Sequence, residues 1–208
     1  RLDYGGGTFG DMGCHIYDPT FKALGLTYPI SLKSAGPSPN EHNWGVDAVI
    51  EYLFPKTSFS KGSTLPVTWY DGSARPPARV ASLLEGKKLP KQGSVIIGTE
   101  GVMLLPHLGM PSLYPQKKFK EFIIKPERGT NHWHDFIDAA RGVKPLPSAN
   151  FDYAGPLTET VLLGGIASHF PGEKLIWEAE EMKFTDHSKA TSLVQRKYRD
   201  GWSVPGLG

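Results

Sequence analysis

Apolar and polar positions form several short runs along the chain, and these runs predict β-strands. Each run is bounded by Gly, Pro or Asp, the residues that favour turns. The runs are PISLKSAG (29–36), DAVIEYLFP (47–55), LPVTWYDG (65–72), GSVIIGTEG (93–101), GVMLLPHL (101–108) and EKLIWEAEEMKFT (173–185). In SVIIGTEGVMLL, two apolar runs flank a short glycine-containing connector, which predicts a hairpin that turns at residues 99–101.

Helical periodicity occurs in four segments, at residues 8–24, 77–85, 131–141 and 153–169. In TNHWHDFIDAARG, apolar residues recur at helical spacing and Gly142 supplies a C-terminal cap. LTETVLLGGIASHF is strongly apolar, which predicts a buried helix packed on a sheet.

The order of these elements predicts an α+β fold. Most strands follow one another without a helix between them, which is typical of antiparallel or mixed sheets. We therefore expect residues 1–208 to form one domain, with a large open, mostly antiparallel or mixed β-sheet and helices packed on one face.

Composition narrows the class of protein. The chain has 208 residues, of which 39% are hydrophobic and 21% charged, with a net charge of +2, values typical of a soluble globular protein. No long basic block predicts nucleic-acid binding, and no apolar stretch is long enough to predict a membrane span. The single Cys14 excludes an intramolecular disulfide and a cysteine-only zinc site, and no metal site is predicted. We expect a soluble protein, cytoplasmic or periplasmic, and a piece of a longer chain because the first residue is not Met.

The segment GGGTFGDMGCH (5–15) contains the glycine spacing G-x-G-x-x-G of dinucleotide-binding loops. Such a loop needs a buried strand before it and an acidic residue about twenty positions later. Only RLDY precedes Gly5, and TYPISLKSAG has no Asp or Glu. The sequence therefore does not predict a cofactor cradle here.

Asp11 and His15 follow these glycines and are four residues apart, so a helix brings them to one face. A carboxylate beside an imidazole is suited to exchanging a proton with a substrate hydroxyl. On this interpretation the glycines leave space for a ligand. The alternative is structural: Thr8 and Asp11 fit a capping box, and His15 is then a core histidine. The local pattern leaves both open.

Three further residues are candidates for substrate binding. Asn43 and Trp44 lie in a loop flanked by Gly and Pro, where the indole can stack on a sugar, although Trp44 fits equally well as a core residue. His107 follows an apolar strand and is placed to face a pocket.

Three ordered motifs resemble one family. GGGTFGDMGCHIYDPTFKALG, NHWHDFIDAARG and FDYAGPLTETVLLGGIASHFPGEKLIWEAEEMKFT are similar to the C-terminal domain of the Gfo/Idh/MocA oxidoreductases, in a sugar-linked bacterial branch. The resemblance implies a large open sheet that supplies substrate contacts and oligomer interfaces. It also implies an N-terminal Rossmann domain that binds NAD or NADP. The family's D-x-x-x-H pair falls on Asp11 and His15, with His15 as the acid/base.

The resemblance implies an NAD(P)-dependent oxidoreductase that acts on a hydroxyl carbon of a sugar, glycoside or polyol. Two alternatives remain: an NAD-dependent glycosidase that works by transient oxidation and elimination, and a non-catalytic carbohydrate-binding or oligomerisation module. The Rossmann domain and its E-K-P lysine are absent, and the Lys-Pro of IKPERG (124–129) lies in the wrong half of the chain. This chain alone is therefore expected to be inactive.

The strands AVIEYLF and SVIIGTEGVMLL are apolar on successive residues, which predicts apolar side chains on both faces of the sheet. A second copy of the chain is the expected cover for the open face, giving a homodimer or homotetramer. The alternative is that loops and the C-terminal tail cover that face.

Overall fold

The computed structural model describes residues 1–125 and 129–205, so part of the IKPERG run lies outside the described residues. Within these ranges the helices are α1 (Gly7–Leu24), α2 (Ala78–Ser82), α3 (His132–Ala140), α4 (Phe151–Ser168) and α5 (Ser188–Thr191). The strands are β1 (Ser31–Ser34), β2 (Val49–Pro55), β3 (Thr64–Tyr70), β4 (Gly93–Ile97), β5 (Val102–Pro106), β6 (Ser112–Tyr114), β7 (Lys174–Glu178) and β8 (Lys183–Phe184). The α+β class is confirmed.

The strands form two open antiparallel sheets, not the single broad sheet expected. One sheet has the order β3-β2-β1-β7-β8, and the other has the order β4-β5-β6. The β4–β5 hairpin pairs with the short strand β6, which the sequence pattern did not predict, instead of extending the first sheet. The chain correspondingly forms two compact units, residues 1–75 with 159–208 and residues 76–158.

In the first unit, helices pack on one face of the five-stranded sheet. Strand β2 turns Ile50, Tyr52 and Phe54 to this face, and all three are buried. Phe9 of α1 meets the Tyr52 ring edge-on at 6.3 Å between ring centres. The Tyr52 hydroxyl donates to the Thr160 carbonyl of α4 at 2.9 Å. One strand therefore anchors both helices.

Helices α1 and α4 approach each other closely because each offers a glycine to a side chain of the other. A Cβ on Gly13 of α1 would lie 3.1 Å from Val161 of α4. A Cβ on Gly164 of α4 would collide with Phe9 of α1 and with the Tyr52 hydroxyl. The glycines remove the side chains that would hold the helices apart.

Helix α1 runs without interruption through Pro19, which cannot donate to the His15 carbonyl. Aromatic residues on the buried stripe, Tyr17 and Phe21, hold it to the sheet on either side of the proline. The helix ends at Gly25, which takes a left-handed conformation (φ 60°) as its C-terminal cap.

The opposite face of the five-stranded sheet is polar along one row. Lys174, Lys33, Glu51 and Thr68 lie side by side across β7, β1, β2 and β3, and all four are exposed. The expectation that AVIEYLF is apolar on both faces is therefore wrong at Glu51. The strand alternates with period two, and the residues beside Glu51 on the open face are only half-buried.

The edges of this sheet are β3 and β8. Strand β3 contains Pro66, which lies opposite Leu53 of β2, and β8 has only two residues.

The second unit is built around the predicted hairpin, which is confirmed. Strands β4 and β5 pair from Ile97 and Val102, and the Gly98 amide donates to the Gly101 carbonyl across the turn. The core of this unit consists of apolar residues from the α2 segment and the sheet: Leu84, Val102, Leu104 and Tyr114, with Leu89 and Val95 beside them.

The packing of α4 gives a first prediction. We expect Gly164→Ala to lower the free energy of unfolding by roughly 1–3 kcal/mol or more, because the added methyl group overpacks the contact with Phe9 and Tyr52. Urea denaturation measures the change. The adjacent Gly165→Ala is the matched control, since its Cβ meets the Trp44 ring at an ordinary 3.4 Å. Equal stability of the two variants would contradict the packing described.

Candidate functional site

The start of α1 sets the position of Asp11. The N-cap is Gly6, which has no side chain to cap the helix, and no acidic residue lies in the first turn. The capping box of Thr8 and Asp11, the structural alternative for Asp11, is therefore not formed. Asp11 instead lies in the second turn and is exposed.

Asp11 and His15 lie together on the outer face of α1. The residues that α1 buries follow Phe9, and Asp11 and His15 lie about 200° and about 240° around the helix from it. Both are exposed, one turn apart. His15 is therefore not a core histidine, and the pair is open to a molecule that approaches this face.

Trp44 packs against the beginning of α1 and is hydrogen-bonded to the residues before it. Its Nε1 donates to the Gly5 carbonyl, and its ring lies against the position of Gly7, where a Cβ would meet the indole at 2.7 Å. Gly7 also has a φ of 68°, a conformation that other residues rarely adopt. The ring meets His169 edge-on at 5.6 Å between ring centres. These contacts give Trp44 a packing role and leave less of the indole for a sugar.

The glycines of GGGTFGDMGCH serve different purposes. A Cβ at Gly6 would collide with the backbone of Gly10, and one at Gly7 would collide with Trp44, so these two permit close packing. A Cβ at Gly5 or Gly10 would meet nothing within 4 Å. Of Gly5 to Gly7 and Gly10, the glycines expected to leave space for a ligand, only Gly5 and Gly10 therefore face open space. Residues 1–6 contain a turn and no strand, whereas a dinucleotide-binding loop directly follows a buried strand.

Asn43 and His107 are both exposed, and the structure gives each a local backbone role. The Asn43 amide donates to Asn40 Oδ1, and its carbonyl accepts from the Asn40 amide, so the pair closes a turn. The His107 amide donates to the Gln92 carbonyl next to β5. His107 belongs to the second unit, whereas Asp11, His15, Asn43 and Trp44 belong to the first.

A small cleft lies beside Trp44, lined by glycines 6, 7, 164 and 165 and by Asp71 and Ser168 among others. It holds about one or two water molecules and is too small for a sugar ring. The Asp71 carboxylate accepts from the Trp69 indole and from the Ala48 amide, so its oxygens stabilise the fold. Asp11 and His15 do not line this cleft.

Two titratable groups of the first unit, Asp47 and His169, were not predicted from the sequence. The Asp47 carboxylate accepts from the Ser73 amide, and this bond lowers the pKa of Asp47. This bond and the bond from the Ala48 amide to the Asp71 carboxylate connect the loop before β2 to the loop after β3. His169 follows α4, and burial lowers its pKa. Asp47 bonds to a distant loop and the His169 ring contacts the distant Trp44, so neither role has a local signal in the sequence.

No protein-family model matches the chain, and no significant match is found among curated proteins. Across the described ranges 1–125 and 129–205, the helices are too short or too polar to cross a bilayer. In the same ranges, no group of three or more His, Cys, Asp or Glu side chains is arranged to hold a metal ion.

The environment of His169 predicts a pH dependence of stability. Because burial lowers the pKa of His169, the folded state favours the neutral ring, and stability is lost as the pH falls below about 6.5, the ordinary histidine value. His169→Gln removes this titration. We therefore expect the variant to lose less unfolding free energy than the wild type between about pH 7.5 and pH 5.5, as measured by urea denaturation at both values. Identical losses would show that His169 does not contribute.

Proposed function

We propose that the chain is the substrate-binding and catalytic part of an NAD(P)-dependent oxidoreductase that acts on a hydroxyl carbon of a sugar, glycoside or polyol. The observation that carries the proposal is the placement of Asp11 and His15 one turn apart on the exposed face of α1. The resemblance to the Gfo/Idh/MocA oxidoreductases supports the same pair. The ligand is a small molecule, and neither nucleic acid nor membrane is proposed as a partner.

In this proposal His15 accepts the proton of the substrate hydroxyl. Asp11 orients the imidazole and stabilises its positive charge, because a carboxylate one helical turn away favours the protonated ring. Both groups project from a helix fixed by Phe9, Tyr17 and Phe21, so their positions are set by the packed face on the other side. A helix held in this way is a rigid support for proton transfer.

The described residues do not fit a dinucleotide. The glycine run lacks a preceding strand, the space beside Gly7 is filled by Trp44, and both sheets are antiparallel. We therefore assign the nicotinamide, the hydride acceptor that such an oxidation needs, to a different domain.

A second candidate is a non-catalytic carbohydrate-binding or oligomerisation module. Its oligomerisation form is favoured because the cleft beside Trp44 is too small for a sugar ring and is not lined by His15. The exposed Asp11, which is not a helix cap, favours the catalytic proposal instead. Glycosidase action by transient oxidation uses the same pair and differs in leaving no net reduced cofactor.

The poor fit of the glycine run to a dinucleotide gives a prediction about cofactor binding. We expect this chain alone to fold and to bind NAD and NADP too weakly for calorimetry to detect at micromolar concentration, because its glycine run is committed to the start of α1. Isothermal titration with each dinucleotide tests this. Micromolar affinity would contradict the assignment of the cofactor to another domain.

A further prediction concerns His15. In the complete enzyme that carries this segment, we expect His15→Ala to lower kcat by roughly 10²- to 10⁴-fold, the range for a positioned acid/base. Steady-state turnover on a panel of sugars, polyols and glycosides, with the reduced nicotinamide followed optically, measures it.

His42→Ala is the control, since His42 is an exposed histidine of the same unit. A loss of less than about threefold for His15→Ala would assign the residue a structural role and favour the non-catalytic module. Glycoside cleavage without net reduced cofactor would favour the glycosidase alternative.

A further inference from the structure

We infer that strand β4 is a docking edge, to which an extended acidic segment of a partner protein adds as a further strand. The inference does not depend on the proposed function. Strand β4 lies at one edge of the three-stranded sheet, and the amides and carbonyls of Gly93, Val95 and Ile97 point away from the sheet. Within residues 1–125 and 129–205, no other group bonds to these main-chain atoms.

The outward direction of these groups follows from the bonds at the two ends of the β4–β5 ladder. The Gly98 amide donates to the Gly101 carbonyl at one end, and the His107 amide donates to the Gln92 carbonyl at the other. In an antiparallel ladder, bonded and non-bonded pairs alternate. Every second residue from 93 to 97 is therefore in a non-bonded pair, and its amide and carbonyl are free for a strand on the other side.

The other three edges of the two sheets each carry a feature that hinders strand addition. Strand β3 contains Pro66, which has no amide hydrogen to donate. On β8, the Phe184 amide and carbonyl already bond to the Thr191 hydroxyl at 3.0 and 3.2 Å. Strand β6 has only three residues and lies between Pro111 and Pro115. Strand β4 has five residues with no proline and no charge, so it lacks the usual protection of an edge.

The side chains of β4 indicate what the added strand carries. Val95 packs against the core of the second unit, and Ile97 lies on the same face of the strand but is 58% exposed. Residues directly opposite these two in an added strand point to the same face. Apolar residues at both positions would extend the core and cover Ile97. Gly93 has no side chain and leaves room for any residue opposite it.

The loop before β4 supplies the charge complementarity. Lys87, Lys88 and Lys91 are exposed, and among the described residues none of them forms an ion pair with a carboxylate. An antiparallel strand whose first residue lies opposite Ile97 reaches Lys91 about six residues later. The partner is therefore an extended segment with apolar residues at about positions 1 and 3 and acidic residues from about position 7 onward.

A synthetic peptide tests the inference. The probe is Val-Thr-Val-Thr-Ser-Thr-Glu-Glu with blocked ends and a fluorescent label, titrated with the 208-residue chain. We expect fluorescence anisotropy to give a dissociation constant of roughly 10–100 μM. The amides of Val95 and Ile97 should become protected from hydrogen exchange in the complex, as followed by NMR.

Two control peptides separate main-chain pairing from charge. N-methylation of the third residue removes the amide hydrogen that would bond to the Val95 carbonyl, and should weaken binding about tenfold or more. Replacing both Glu residues by Lys should weaken binding as well, because the three lysines then face like charges.

Two variants of the chain locate the edge. Ile97→Pro removes an outward amide without removing a bond to β5, and should weaken binding about tenfold relative to the matched control Ile97→Val. Lys91→Glu should weaken it in the same direction. No binding at about 1 mM, or equal binding of the N-methylated peptide, would overturn the inference. Protection of Val95 and Ile97 at high chain concentration without peptide would assign the edge to a second copy and would also overturn it.

Discussion

The close contact of α1 and α4 over strand β2 is the constraint on which the first unit depends. Gly13 and Gly164 let the two helices meet, and Tyr52 fills the space beneath them and bonds to the α4 backbone. Because α1 is fixed on this side, its opposite side is also fixed in direction. The exposure of Asp11 and His15 is therefore a consequence of packing that lies on the far side of the helix. The orientation of Asp11 and His15 thus depends on Gly13 and Gly164, which lie at the buried contact of α1 and α4.

Much of the fold was predictable from the sequence, because it follows from local periodicity. The alternation of Ile50, Tyr52 and Phe54 defines β2, and the long apolar pattern of α4 defines a buried helix. The division into two sheets was not predictable, because strand partners are determined by residues far apart in the chain. Strand β6 is also only three residues long. At the site, the spacing of Asp11 and His15 was enough to place them on one face. The role of Trp44 was not, because its partners Gly5 and His169 are far away in the chain.

Helices α3 and α4 show why an apolar pattern alone does not decide burial. Both carry apolar residues at helical spacing, yet α4 buries Val161 and Leu163 whereas α3 buries none of its own residues. The two helices also differ in their polar residues. On α3, Asp135 and Asp138 both bind Lys144, on the side of the helix opposite Trp133 and Phe136. Apolar residues at helical spacing therefore predict that a helix forms, whereas its burial depends on what the rest of the chain packs against it.

Pro66 has a consequence for how copies of the chain can associate. The Leu53 carbonyl accepts from the Ile30 amide, so the polar backbone atoms of Leu53 point toward β1 and those of Pro66, opposite it, point outward from the sheet. At this outward position Pro66 offers no amide hydrogen. The other edge, β8, is too short to template a foreign strand. Both edges of the five-stranded sheet thus resist the continuous main-chain bonding on which fibril growth depends.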